Sequence, residues 1–247
     1  MAAENTKEEM KPQLIVALDV KDRPSACNIV NLLGDRVQWY KVGLELFVAC
    51  GTEIIKTLRN EQKKVFLDLK LHDIPNTVAG AVKSAVTHGV SMITVHAGGG
   101  GNMVRAAVES AGNNTKIIAV TVLTSLSEDD LNVQGITRSV QEHVTTLAEL
   151  AISNGAHGIV CSPHEVPHIR SIFGKVPLII TPGIRLEMDA KEDQKRTGSP
   201  ESAVEAGADF LVVGRPIIRA SSPVQVVDEV IQRIESAWVK KKQISQQ

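Results

Sequence analysis

The sequence predicts an α/β fold in which eight parallel strands alternate with helices and close into one single-domain (β/α)8 TIM barrel. Three observations carry that prediction. Short apolar, β-branched runs recur along the chain, and a helix-length amphipathic segment separates each from the next. Strict alternation of this kind implies a parallel sheet whose crossovers are helices. The chain has 247 residues, near the length at which eight such units form one domain. The turn after the first run, DVKDRPS, has no glycine, whereas a doubly wound open sheet, the alternative for the same alternation, carries a glycine-rich turn there.

The elements follow in order. The first run, LIVALDV from Leu14, leads into a helix over RPSACNIVNLLGD, with Pro24 near its start where a missing N–H costs nothing. VQWYKVG from Val37 precedes the helical segment GLELFVACGTEIIKTLRN, and KVFLDLK from Lys64 precedes IPNTVAGAVKSAVTHG. SMITVHA from Ser91 is followed by GGNMVRAAVESAG, and KIIAVTVL from Lys116 by SVQEHVTTLAELAISNG. GIVCS from Gly158 leads to SPHEVPHIRSIFG, PLIITPG from Pro177 to SPESAVEAG, and FLVVGRP from Phe210 to a last helix from about Ser222 to Trp238. Several helices close on glycine, which tolerates the left-handed turn past a helix end. The barrel is expected over residues 14–239, between a flexible leader at 1–13 and a polar tail at 240–247. One connection, Gly183 to Pro200, is long, polar and without apolar periodicity, as functional or mobile loops are.

Composition narrows the partners. A net charge of −1 offers no footprint for nucleic acid or an anionic membrane, and 3% aromatic residues offer no surface for stacking bases. No run of eighteen uncharged apolar residues exists, so no helical membrane span is expected. Cys27, Cys50 and Cys161 are odd in number and far apart, which argues against a disulfide framework and against a CxxC metal site. With a polar start, MAAENTKEEMKP, that lacks an apolar signal core, the expectation is a cytoplasmic protein acting on a small molecule.

The polar residues then fall into a pattern. In VFLDLKLHDIPNTV the side chains alternate: Val65, Leu67, Leu69 and Leu71 face the helices, while Phe66, Asp68 and Lys70 face the barrel interior, charges toward the functional mouth. Asp19, Lys41, His96, Thr124, Arg185 and Arg215 stand at or just beyond the ends of other strands. Singly, each has a bland reading: a helix cap, a snorkelling lysine, a hydrogen-bonded structural histidine. Seven charges converging on one mouth exceed what structural ion pairs need. TPGIR after the seventh strand and VVGRP after the eighth stand where barrel enzymes commonly hold a phosphate; Gly183 and Gly214 permit close backbone approach, and Arg215 can grip oxygens in bidentate fashion. Lys41, Asp68, Lys70 and Asp73 alternate in sign, which favours the charged form of each. A lysine kept charged is ill suited to forming a Schiff base and well suited to donating a proton or stabilising developing negative charge.

ALDV, YKVG, FLDLKLHDIPNT, TVHA, TPGIR and VVGRPI, in this order, closely resemble the orotidine 5′-phosphate decarboxylase family of the bacterial type, from about Leu14 to Ala237. The resemblance implies decarboxylation of orotidine monophosphate to uridine monophosphate, the last step of pyrimidine synthesis de novo, with no metal and no organic cofactor. It implies Lys70 as proton donor to C6, Asp68 facing the substrate carboxylate, and Lys41 and Asp73 completing the charged array. Asp19 and Lys41 would hold ribose hydroxyls, Thr124 the pyrimidine, and Arg185, Gln194, Gly214 and Arg215 the region of the phosphate, with Gln194 reaching over the base. Ile74 and Thr77 would also contact substrate, and Asp73 and Thr77 would enter the site of a neighbouring subunit, making a homodimer. Two rivals stay open: a metal-dependent hexulose-phosphate synthase on the same barrel, with its Asp-x-Lys-x-x-Asp arrangement, and a non-catalytic nucleotide-binding barrel.

Overall fold

Eight parallel strands pair in chain order, and the last pairs with the first to close the barrel. The computed structural model describes residues 10–186 and 197–244. The strands are β1 (Gln13–Ala17), β2 (Trp39–Val42), β3 (Lys64–Leu71), β4 (Met92–His96), β5 (Lys116–Val120), β6 (Gly158–Val160), β7 (Leu178–Thr181) and β8 (Phe210–Val213). Around them run α1 (Arg23–Leu33), α2 (Leu44–Cys50), α3 (Glu53–Asn60), α4 (Pro75–Thr87), α5 (Gly101–Ala111), α6 (Glu128–Val133), α7 (Val140–Ser153), α8 (Val166–Phe173), α9 (Pro200–Ala206), α10 (Arg215–Ile218) and α11 (Pro223–Ile244). Among the described residues no helix is long and apolar enough to cross a membrane.

Alternation along the strands sorts their side chains into two cores. Val16, Val65, Leu67, Ile93 and Ile159 join the layer between sheet and helices, with Leu69 and Leu71 packed against it. Ile15, Ala17, Trp39, Phe66, Met92, Ile118, Ile180, Phe210 and Val212 fill the interior. The lower end is closed by Trp39 against the edge of Phe210, with ring centroids 5.2 Å apart and planes at 72°, and the Trp39 indole N–H donates to Gln13 Oε1 at 2.8 Å. An apolar, plugged bottom leaves the other end of the strands for polar side chains.

The element boundaries differ from the sequence reading in several places, among them the short helix α10, which begins within the run read as the eighth strand. The segment read as a single helix after β2 is two, α2 and α3, because Gly51 turns left-handed (φ +57°) and its N–H closes α2 on the Phe47 carbonyl at 2.7 Å. A short extra helix, α6, begins at a capping box in which Ser127 and Asp130 satisfy each other's backbone N–H groups. The last helix runs past Trp238 to Ile244, into the segment read as a polar tail, because Lys241 reaches the Val204 carbonyl at 3.1 Å and Lys242 lies 4.7 Å over the Trp238 ring.

Candidate active site

β3 carries the centre of the site. Asp68 is largely buried, its side chain 13% exposed, and Lys70 Nζ donates to its Oδ2 at 2.9 Å. Lys41, from β2, stands with Nζ 3.9 Å from the same oxygen and donates to Asp19 Oδ1 at 2.7 Å. The four side chains form a continuous chain of alternating sign, Asp19, Lys41, Asp68, Lys70, in which Lys41 and Asp68 are largely buried and Asp19 and Lys70 are partly exposed. Coulombic attraction around the largely buried Lys41 and Asp68 is stronger than at an open surface, so these charges orient their neighbours.

Lys70 reaches this position through an irregularity that alternation alone does not foresee. β3 and β4 are in register at Leu67 opposite Ile93, but the next pair is Leu71 opposite Val95, so β3 carries extra residues between the two pairings. Lys70 absorbs the misfit with φ +50°, in the left-handed region that non-glycine residues seldom occupy. Its N–H donates to Thr94 Oγ1 at 2.8 Å, and the Thr94 hydroxyl donates to Asp68 Oδ1 at 3.0 Å.

Two glycines make room for the array. A Cβ on Gly43 would stand 2.9 Å from Lys41 Nζ and 3.3 Å from Asp19 Oδ1, and one on Gly214 would stand 3.2 Å from both Ala17 Cβ and Asp19 Oδ2. Thr94 and Gly43 were not singled out by the sequence reading. The available signal for Thr94 was the alternation of β4, which puts it on the same side as Met92, inside the barrel.

A cavity of about 240 Å³ opens at the C-terminal ends of the strands, lined by Asp19, Lys41, Asp68, Lys70, Thr124, Arg185, Gly214 and Arg215 over a floor that includes Phe66, Ile180 and Val212. These eight polar and glycine positions are all expected site residues. Gly183, with φ +79°, turns the chain after β7, and the loop base is tied by Arg185 N–H to the Gly198 carbonyl at 2.9 Å and Gly198 N–H to the Gly183 carbonyl at 3.1 Å. This holds Arg185 at the rim opposite Asp68.

Other expected residues lie elsewhere. Asp73, Ile74 and Thr77, at the start of α4, do not line this cavity; Asp73 accepts the Ile74 N–H at 2.6 Å, and Ile74 is 67% exposed. Gln194 lies outside the described residues. His96 is also not part of the cavity lining. It stacks on His72, with ring centroids 5.2 Å apart and planes 11° apart, and its Nδ1 accepts the Gly98 N–H at 3.2 Å. Burial, then the nearby His72 and Lys70, hold its pKa below the usual histidine value, which favours its neutral form. A larger cavity, about 850 Å³, opens at the opposite end beside Trp39 and Trp238. Its carboxylate, Asp209, is committed to Arg170 at 2.6 Å and to the Ile179 N–H at 2.7 Å, and it lies at the end of the barrel that serves stability.

Residues 12–230 match the model of the orotidine 5′-phosphate decarboxylase / HUMPS family. The chain belongs to this family. A relative named orotidine 5′-phosphate decarboxylase, from Anaeromyxobacter sp. (strain K), is 47% identical over 216 residues, covering 87% of this chain and 95% of its own. A second of that name, from Legionella pneumophila, is also 47% identical, over 90% of this chain and 99% of its own. Among solved structures, orotidine 5′-phosphate decarboxylase from Lactobacillus acidophilus superposes with a TM-score of 0.81 at 38% identity, covering 90% of this chain and 99% of that one. Relatives that share this much of the chain are named decarboxylases, so this protein is an enzyme, a carboxy-lyase.

Proposed function

We propose that this enzyme converts orotidine 5′-monophosphate to uridine 5′-monophosphate and carbon dioxide, the final step of UMP synthesis de novo, using no metal and no organic cofactor. The observation that carries the proposal is the alternating array, with Lys70 Nζ 2.9 Å from the largely buried Asp68 at the mouth and two arginines lining the same cavity. When the bond from C6 to the carboxylate breaks, its electron pair stays in the plane of the pyrimidine, where no π system absorbs it. A fixed ammonium beside C6 stabilises that pair and then supplies the proton that forms the C6–H bond. Lys70 is that group; the proton it gives up is replaced from solvent after carbon dioxide leaves. Asp68 and Lys41 keep the ammonium aimed. Asp19 and Lys41 hold ribose hydroxyls, Thr124 the base, and Arg185, Gly214 and Arg215 the phosphate, with Gln194 completing the grip.

Enzymes typically lower barriers by about 8–23 kcal/mol, accelerations of about 10⁶ to 10¹⁷, and the upper part of that range is far more than one lysine supplies. Binding energy from the distant phosphate must be used to align the reacting ring against the array. The rival metal-dependent sugar-phosphate chemistry fits less well, because two lysines interleaved with the acids repel a divalent cation. A second subunit would bring Asp73, Ile74 and Thr77 to the mouth, which in one chain they leave to solvent; the enzyme is therefore read as a homodimer. Cys27, Cys50 and Cys161, none in a disulfide, suit the reducing cytoplasm.

The test is turnover of orotidine monophosphate by purified protein in excess EDTA, followed by its ultraviolet change. Steady product formation is expected, and Lys70→Ala, still folded by circular dichroism, should lose about 10³-fold or more in kcat. No turnover by the wild type, or turnover only after metal is restored, would overturn the reading.

A further inference from the structure

We propose that Thr94 is a positioning residue for the Lys70–Asp68 pair, acting through a single buried hydroxyl that fixes the lysine's backbone and the aspartate's carboxylate at once. The inference rests on the decarboxylase reading for what the pair does, but its geometry stands apart from it. Thr94 is fully buried, 0% exposed, on the interior face of β4. A hydroxyl there has one proton to give and lone pairs to receive with, and both capacities are used within the site. The proton goes to Asp68 Oδ1 at 3.0 Å, and the Lys70 N–H comes in at 2.8 Å.

Each bond answers a specific need. At Lys70 the ladder between β3 and β4 is out of register, and the backbone stands at φ +50°, a conformation that persists only where its surroundings over-determine it. The Thr94 oxygen supplies a hydrogen-bond acceptor to the N–H of that residue. At Asp68, Oδ2 is engaged by Lys70 Nζ at 2.9 Å with Lys41 at 3.9 Å, which leaves Oδ1 to be oriented from the other side. The hydroxyl proton does so. Thr94 thus closes a small ring, from its own oxygen through the Lys70 backbone and side chain to Asp68 and back. It is not among the residues that line the cavity; it sets the angle at which Lys70 Nζ is offered.

Thr94→Val, which keeps the shape and removes the hydroxyl, and Thr94→Ser, which keeps the hydroxyl, separate this role from packing. With the wild type run alongside, Thr94→Val should lose about 10- to 100-fold in kcat, the scale expected when a reacting group is misplaced by about an ångström. KM and the affinity for uridine monophosphate should stay within about threefold, and Thr94→Ser within about threefold of wild-type kcat. Hydrogen exchange at the Lys70 amide, read by NMR, should quicken about tenfold or more in Thr94→Val relative to amides of β1, and not in Thr94→Ser. If Thr94→Val does not fold, Thr94→Ala is read in its place. Full kcat without the hydroxyl, an equal loss in Thr94→Ser, a loss confined to KM, or an unchanged Lys70 amide overturns the proposal. Should the wild type fail to turn over orotidine monophosphate, the functional reading falls, and the amide exchange still decides whether Thr94 holds Lys70.

Discussion

Lys41 meets Asp19 at 2.7 Å because the residue two places on, Gly43, has no side chain to occupy the space beside the ammonium. An added methyl would stand 2.9 Å from Nζ, but Nζ is the end of a flexible chain and can move. The cost of Gly43→Ala therefore falls on the array and not on the fold. Its melting temperature should stay close to the wild type, while KM for the nucleotide rises about tenfold if the proposed charged hydrogen bonds to the ribose weaken; unchanged kinetics would show that Lys41 does not hold the sugar. At this scale the sequence was informative wherever side-chain direction follows strand alternation, as at Phe66, Asp68 and Lys70. It did not single out Thr94 or Gly43, whose importance lies in the Lys70 N–H and Asp68 Oδ1 that meet the Thr94 hydroxyl at 2.8 and 3.0 Å and in the Lys41 ammonium that a Gly43 Cβ would crowd at 2.9 Å.

Between elements, α9 and α11 are clamped by Arg233, whose Nη2 donates to Glu201 Oε2 at 2.9 Å and whose Nη1 reaches Glu229 at 3.2 Å. The hydrogen bonds from Arg233 hold the Glu201 carboxyl down at about 2, and the same pairing raises the arginine. Because the folded value lies below the ordinary 4.5, the stabilisation is complete above that pH and is lost as pH falls from 4.5 toward about 2. Glu201 is 37% exposed in its side chain, so solvent screens the pair and the effect is modest. Melting curves across this window should fall more steeply for the wild type than for Glu201→Gln; parallel slopes would show that the clamp contributes nothing. Element type followed from periodicity, but the break between α2 and α3 did not, since Gly51 interrupts an apolar pattern that reads through it, and the extension of α11 depends on Val204, thirty-odd residues away, accepting from Lys241.

For the whole molecule, the exposed start of α4 is the feature a single chain leaves unexplained, with Asp73 accepting, among the described residues, its neighbour's N–H and Ile74 open to solvent. If these residues serve a partner's mouth across a two-fold axis, Lys70→Ala and Asp73→Ala are complementary. Each variant alone should be nearly inactive, and a mixture refolded together should recover about a quarter of wild-type activity, because half the dimers are mixed and each of those holds one intact site. Recovery of nothing would put Asp73 and Lys70 in the same chain's site. The rest of the barrel is braced by contacts no motif announces: Arg170 donates to the carbonyls of Gly174, Pro177 and Gly207 and to Asp209, joining α8, β7 and the approach to β8.

The sequence by itself determined the eight alternating units, the closed barrel, and the mouth at which Asp19, Lys41, Asp68, Lys70, Thr124, Arg185, Gly214 and Arg215 gather, because each of these follows from periodicity along one strand and from the rule that barrel sites lie at strand ends. Tertiary structure alone decided that Lys70 bends left-handed against a buried Thr94 hydroxyl, that His96 stacks on His72 with its pKa pushed down by burial, and that Gly43 shelters the Lys41–Asp19 pair. Those outcomes depend on register between neighbouring strands and on desolvation, and both arise from residues far apart in the chain.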